Sequence, residues 1–525
     1  MNKEDLLEPF ERRQIRILQY LYRNNGEAKI SEIATALPFS SRNLLMDDLQ
    51  AIQMVLRPSL AQYDISFKWN NEKVHLHING QMSLKTLIFS YYRQTPKISI
   101  IENIVLNPNL TSIQLATKLN FSVATLYRKI AELNDLLAPF HVKINQLQLT
   151  GPDLAIQHLM YELLWNVCPK DQYVYRRYLQ RNSPLAETMH RLLIDGSNKY
   201  LAADGPRKLY TWLLIIRLRN RHADTTMTLS PLARQVYKTM ASAPHFQQLW
   251  QRLQDSMPTF MQRIEKTELE QSLLIFCVAH EVFPIDDAFW QPAVDMVNTA
   301  DSLAIMAQTI HQEHVQPMLN LDTPTITRYS VATLYRTLVN LTVCAGHINV
   351  MRPDTTTRYY QRLHNELIIR QAHELTRVIV SSLADKFKIS VDPGYVQQLM
   401  VLLRLTLRQR FAPTYRIAID PEIGEMWLEP FIQICQNYFN QTLRTTVEVF
   451  DPNKQYDLYL SDHCPDQPVI QAAQTYILTD LGSEDDLTKI TELLQATPNN
   501  RGLTGHPREL SATNPPCHRT PKNVL

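Results

Sequence analysis

Apolar positions fall into short helical stripes along most of the chain. The first two groups of stripes repeat one another. From Phe121 to Leu137 the sequence reads "FSVATLYRKIAELNDLL". Leu126, Ile130 and Leu133 follow i, i+4, i+7, which predicts one buried stripe on a helix with Ser122 as its N-cap. Before it, "ISIIENIVLNPN" (Ile98 to Asn109) predicts a helix stopped by Asn-Pro-Asn, and "TSIQLATKLN" a short helix capped by Thr111. After it, "HVKINQLQLTG" alternates apolar and polar residues around Asn145-Gln146 and predicts a β-hairpin.

The same order occurs earlier. "RRQIRILQYLYRN" predicts a first helix, "SEIATAL" a second, and Ser41 to Ile52 a third with the stripe Leu45, Leu49, Ile52. "YDISFKWNNEKVHLHI" predicts a hairpin turning at Asn70-Asn71. Ala34 corresponds to Ala116 and Phe39 to Phe121, with a turn one residue longer in the first unit. Three helices and a hairpin make a winged helix-turn-helix, so a tandem pair is expected.

Polar residues on the third helices carry the candidate chemistry. In the second unit Ala124, Thr125, Tyr127, Arg128 and Lys129 fall on or beside the face opposite the stripe. Small residues allow close approach to a groove, arginine can bind guanine bidentately, and lysine can meet phosphate. In the first unit Asp47 and Asp48 stand where Arg128 and Lys129 stand in the second. Two outward carboxylates would be repelled by phosphates. The first unit is therefore expected to be the weaker reader, using Arg42, Asn43, Arg12, Arg13 and wing residue Lys68. Charge agrees: Gln81 to Gly151 holds seven Lys and Arg against three Asp and Glu, a balance of +4, whereas Met1 to Gly80 holds ten of each. Units of this shape also serve as protein-binding modules; tandem repetition with a basic second copy favours duplex DNA.

From Pro152 to about Arg410 the pattern is helical almost throughout, with breaks near Pro184, Pro206, Pro231, Pro258 and Pro284. Two bundles are expected, divided near residues 280–290. "SVATLYR" at Ser330 to Arg336 repeats Ser122 to Arg128 letter for letter but continues into an apolar helix, and reads as coincidence. His311 and His314 lie at i, i+3 with no cysteine or third histidine close in sequence; a solvated helix face is expected, and no metal. From Tyr415 strand and helix patterns alternate in a small α/β domain, and the proline-rich end has the composition of disorder.

Composition narrows the classes. The chain has 525 residues, 45% hydrophobic and 20% charged, with a net charge of +2, which fits a multidomain globular protein. Only 11 glycines are present, without a G-x-G-x-x-G or Walker motif, so no nucleotide loop is expected. Six scattered cysteines without C-x-x-C spacing point to a reducing compartment. No apolar run reaches a membrane span and the start is too charged for a signal peptide, so a cytoplasmic protein is expected.

The stretch "LATKLNFSVATLYRKIAELNDLLAPFHVKI" within a tandem pair resembles the Mga/AtxA-like family of bacterial transcription regulators. The resemblance implies a mainly α fold: a winged helix-turn-helix at residues 1–80, a second, Mga-type, at 81–151, PRD-like helical domains at 152–283 and 284–411, an EIIB-like α/β domain at 412–497, and a disordered tail at 498–525. It implies control by sugar-phosphotransferase (PTS) phosphorylation of histidines, with PTS phosphocarrier proteins as partners. His222, beside Arg217, Arg219 and Arg221, is the first candidate; His347, His364 and His373 follow. A histidine and arginines at a helix C-terminus are also favourable through the helix dipole alone. EIIB carriers bear a reactive cysteine after their first strand; here that loop is "DPEIGE", Asp420 to Glu425, and Cys435 on the next helix reads as core. The expectation is a DNA-binding regulator acting as a homodimer or higher oligomer, with no cofactor and no catalytic residue. The rivals are a PRD-type antiterminator that binds RNA and a PTS phosphoryl carrier.

Overall fold

The structure is a computed structural model. It describes residues 1–37, 42–62, 65–78, 84–107, 109–167, 200–219, 227–256, 264–319, 323–349, 366–411, 414–421, 425–463, 471–479 and 483–496. Helices dominate. Two compact units are present: residues 1–309 with 331–352, and residues 310–330 with 353–525.

The first unit begins with helices α1 (Pro9–Arg23), α2 (Ile30–Ala36) and α3 (Arg42–Gln62). Strands β1 (Glu27–Lys29), β2 (Ile65–Trp69) and β3 (Lys73–Ile78) form an antiparallel sheet in the order β1-β3-β2. The predicted stripe Leu45, Leu49, Ile52 is fully buried, and the hairpin turns through Asn70. Strand β1 had no signal in the sequence pattern. It enters through Gly26, whose positive φ of 82° and close approach to the Leu76 carbonyl leave no room for a side chain.

Helix α4 (Leu84–Gln94) leads to α5 (Pro96–Leu106), α6 (Ser112–Lys118) and α7 (Val123–Leu137). Thr111 and Ser122 cap α6 and α7 as their positions predict, accepting from Gln114 N and Thr125 N. Leu126, Ile130 and Leu133 are buried. Strands β4 (Lys143–Asn145) and β5 (Gln148–Thr150) join through Gln146 and Leu147, both with positive φ, a two-residue turn of the twist that hairpins favour.

Helices α8 (Asp153–Asn166), α9 (Gly205–Arg219), α10 (Pro231–Met240), α11 (Pro244–Asp255), α12 (Lys266–Ala279) and α13 (Ser302–Ile310) continue the chain. Their core centres on Trp212, stacked on Phe276 at 4.3 Å, with its indole N–H donating to Ser272 Oγ. Helix α14 (Pro324–Thr342) contains the repeated "SVATLYR". There Ser330, Val331, Ala332, Leu334 and Tyr335 are buried, and the Tyr335 hydroxyl donates to Asp301. The copy is a core helix, in keeping with coincidence.

The second unit contains α15 (Glu366–Phe387) and α16 (Pro393–Phe411), packed on one another, then a four-stranded parallel sheet. Strands β6 (Thr414–Ile419), β7 (Arg444–Val449), β8 (Tyr456–Ser461) and β9 (Ala472–Ile477) lie in the order β7-β6-β8-β9, with α17 (Glu425–Thr442) and α18 (Glu484–Ala496). Cys435 is buried in this core with Phe431 and Phe439, and burial pushes its thiol up to about 12. His311 corrects an expectation: it lies in a π-helical turn (His311–Val315) and is buried, not on a solvated face. A π turn holds an extra residue and rotates the following side chains relative to a regular helix. His314 keeps partial exposure, 3.9 Å from Glu374.

Candidate nucleic-acid interface

Helix α7 presents a sharply two-sided surface. Its stripe faces α5 and α6; Ser122, Val123, Ala124, Tyr127, Arg128 and Ala131 are exposed. The Ser122 cap fixes the start of the helix, and its hydroxyl also meets Thr125 Oγ1 at 2.9 Å. Tyr127 is 54% exposed, yet its hydroxyl lies 3.0 Å from Ser112 Oγ at the start of α6. That contact links the two helices of the helix-turn-helix on their outer side. Arg128 stands one turn after Ala124 on the open face, so a groove approached over Ala124 would meet the guanidinium next.

Lys129 behaves differently from its neighbour. Its ammonium, only 12% exposed, donates to both carboxylate oxygens of Glu8 at 2.9 and 3.0 Å and to Glu132 at 2.9 Å. Burial works against the charged form, but hydrogen bonds to Glu8 and Glu132 outweigh it and raise the pKa above the ordinary lysine value. Lys97 of α5, also buried, lies 3.7 Å from Glu8 and 3.8 Å from Glu132 and donates to the Asp5 carbonyl. Two lysines and two glutamates thus join α5 and α7 to the segment that caps α1. The Thr95 hydroxyl, donating to the Leu6 carbonyl, adds to the same junction. Two of the seven basic residues counted from Gln81 to Gly151 are therefore neutralised internally. The exposed basic residues there include Arg93, Lys118, Arg128 and Lys143.

The first unit carries a parallel surprise. Asp47 is exposed, as expected, but Asp48 is 2% exposed. Arg13 of α1 forms a two-pronged ion pair with it, and Gln14 donates to Asp48 Oδ1 at 3.2 Å. The expectation that both carboxylates face outward is corrected: at this position, Asp48 on α3 and Lys129 on α7 both turn in and lock their helix onto its surroundings. Arg13 is likewise committed inside the domain, and Arg12 donates to the Leu7 carbonyl. Arg42 and Asn43 are exposed at the start of α3, and Lys68 is exposed on β2.

Sequence reasoning missed Asn134. Its side chain donates to the Ile144 carbonyl and accepts from the Ile144 N–H, clamping α7 to the first strand of the second hairpin. An asparagine on the helix side nearest the hairpin was the available signal.

Among the histidines, His347 is buried, and His373 is exposed on α15 with Nδ1 3.0 Å from Gln397 Oε1. His222 and His364 lie outside the described residues. Asp420 follows β6, where Tyr459 donates to its carboxylate at 2.5 Å and Ser461 to its carbonyl; residues 422–424 lie outside the described residues.

A family model described as the Mga helix-turn-helix domain matches residues 80–164. That span begins just before α4 and ends within α8, so it includes the whole of α5, α6, α7 and the β4–β5 hairpin. No curated protein matches the chain. No helix among the described residues is long and apolar enough to cross a membrane.

Proposed function

We propose that the chain is a transcription regulator that reads duplex DNA with tandem winged helices, the second reader dominating. The helix-turn-helix match makes DNA the expected partner. The observation that carries the ranking of the readers is the open face of α7: Ala124 and Arg128 sit one turn apart on a capped helix, with the Lys118 and Lys143 ammonium groups exposed on flanking elements. Arginine at this position can take guanine O6 and N7, and the flanking lysines can hold phosphates. The first reader contributes Arg42, Asn43 and Lys68 at its own surface. Lys129 serves the junction between the readers, not the nucleic acid.

The remaining expectations extend this reading. We read the helical regions as PRD-like and the α/β region as EIIB-like; the parallel order β7-β6-β8-β9, with a helix after the first strand, supports the second reading. Cys435 in the core, protonated at neutral pH, suits a non-catalytic descendant. His373 is the exposed phosphoacceptor candidate. Oligomers are favoured because one reader offers few contacts and symmetric pairing multiplies them. Met426, Trp427 and Ile434, exposed on α17, offer apolar area for a second copy.

Fluorescence anisotropy of the full chain with genomic duplexes and with RNA hairpins, each at two salt concentrations, tests the function. Duplex binding with a steep salt dependence and a footprint at discrete sites is expected. Preference for the hairpins would overturn the reading in favour of antitermination.

A further inference from the structure

Beneath the second helix-turn-helix, three metal-ligating side chains converge from distant parts of the chain. His158 lies on α8, His280 caps the C-terminus of α12, and Cys344 follows α14. All three are buried, and their ligand atoms lie within 4.8 Å of one another. His158 Nδ1 and His280 Nε2 are 3.2 Å apart. Two nitrogens bound tetrahedrally at about 2.0–2.1 Å would stand about 3.3 Å apart, so the imidazoles already hold ligand spacing. A thiolate at about 2.3 Å would stand about 3.6 Å from each, which small side-chain rotations reach.

The surroundings orient the group as outer partners orient metal ligands. His158 Nε2–H donates to the Gly346 carbonyl at 2.7 Å, which leaves the Nδ1 lone pair aimed at the cluster. Glu162, one turn along α8, is buried, and its Oε2 accepts from Ile348 N–H and the Asn166 side chain. Burial pushes the Cys344 thiol up to about 12, and the nearby Glu162 carboxylate adds to that shift. A divalent cation with one thiolate carries a net charge of +1; the Glu162 carboxyl, which burial pushes up to about 7, would be held ionised beside the cation and balance that charge.

We propose that His158, His280 and Cys344 bind one zinc-class divalent cation, with Glu162 as the compensating charge. Two imidazoles and a thiolate suit zinc, a borderline-soft ion without redox demands. On binding, Cys344 loses its thiol proton to solvent, and the His280 proton passes from Nε2 to Nδ1 so that the Nε2 lone pair faces the ion. The site joins α8, α12 and the loop 344–349. That loop packs Gly346 against the Phe140 ring, just after α7, and Asn349 pairs with Met1 and Lys3. The cation would therefore brace the region carrying α7, whatever nucleic acid the reader takes.

The test uses the full chain, stripped with chelator and titrated with Co²⁺, then competed with Zn²⁺. Expected are one ion per chain, a tetrahedral d–d spectrum, a thiolate-to-cobalt charge-transfer band, and a higher melting temperature with Zn²⁺. Cys344→Ala should abolish the charge-transfer band, and His280→Gln should weaken binding by at least about 10–100-fold, the loss typical even of supporting partners. Should either variant fail to fold by circular dichroism, zinc-edge X-ray absorption of the unaltered chain decides, with one sulfur expected in the first shell. Folded chain that binds no Zn²⁺, a zinc shell without sulfur, or affinity unchanged in both variants would overturn the proposal and leave a hydrogen-bonded histidine pair. Loss of zinc binding would not touch the DNA reading, and loss of DNA binding would not touch the zinc site.

Discussion

Arg128 and Lys129 are adjacent on one helix, yet Arg128 is exposed while Lys129 is held by Glu8 and Glu132, so opposite roles are expected. Lys129→Ala removes the main partner of Glu8, whose carboxylate is 12% exposed, and leaves it with Lys97 at 3.7 Å. Breaking a fully buried ion pair costs about 3–5 kcal/mol, and an exposed one about 0.2–1. This pair lies between, with Glu132 more open and Lys97 as a residual partner, so about 2 kcal/mol is expected. Glu8→Gln in the same chain should recover roughly half of that, because the orphaned charge is gone while an oxygen remains to cap α1. Arg128→Ala should leave stability within about 0.5 kcal/mol, as exposed substitutions do. It should lower affinity for a specific duplex by about 1–3 kcal/mol, roughly 5- to 150-fold. Urea titration of the first unfolding transition, set beside anisotropy with duplex DNA, separates the two. The reasoning is refuted if Lys129→Ala unfolds like the unaltered chain but binds all duplexes more weakly with a shallower salt slope. It is equally refuted if Arg128→Ala binds as before.

Further outcomes are expected elsewhere. Asp48→Ala should destabilise the packing of α1 on α3 by about 2–4 kcal/mol, since Arg13 and Gln14 lose a buried acceptor; a thermal or urea transition reads it. Lys68→Ala should keep stability and reduce the salt slope of duplex binding by about one, and an unchanged slope would remove the first wing from the interface. Burial raises the Glu11 carboxyl above its ordinary value near 4.5, so the folded state holds its proton to higher pH than the unfolded chain does. Stability from this group is therefore lost as pH rises above 4.5. Glu11→Gln, which can still accept from Glu8 N–H, should flatten that slope in unfolding midpoints measured across the acid range.

Local pattern by itself determined the helices and hairpins of the N-terminal region. Ser122 and Thr111 cap because each precedes an apolar stripe by the distance a first turn requires, and Leu126, Ile130 and Leu133 are buried because their period matches the helix. Such signals depend on neighbours within one or two turns. Strand β1, the buried Asp48 and the Glu8–Lys129 bond carried no such signal. Their partners lie 34 to 121 residues away, and helical geometry places a flanking residue on a face without saying whether protein or solvent covers it. The heptapeptide "SVATLYR" shows the division directly. It is helical at both sites, yet Tyr127 is 54% exposed and Tyr335 is 0% exposed with its hydroxyl on Asp301. The residues specify a helix; the surrounding chain decides which faces see water. Histidine spacing gave no metal site because sequence search looks for ligands close together. Folding brings His158 to His280 across 122 positions, since burial of apolar helix faces, not ligand spacing, sets where those helices meet.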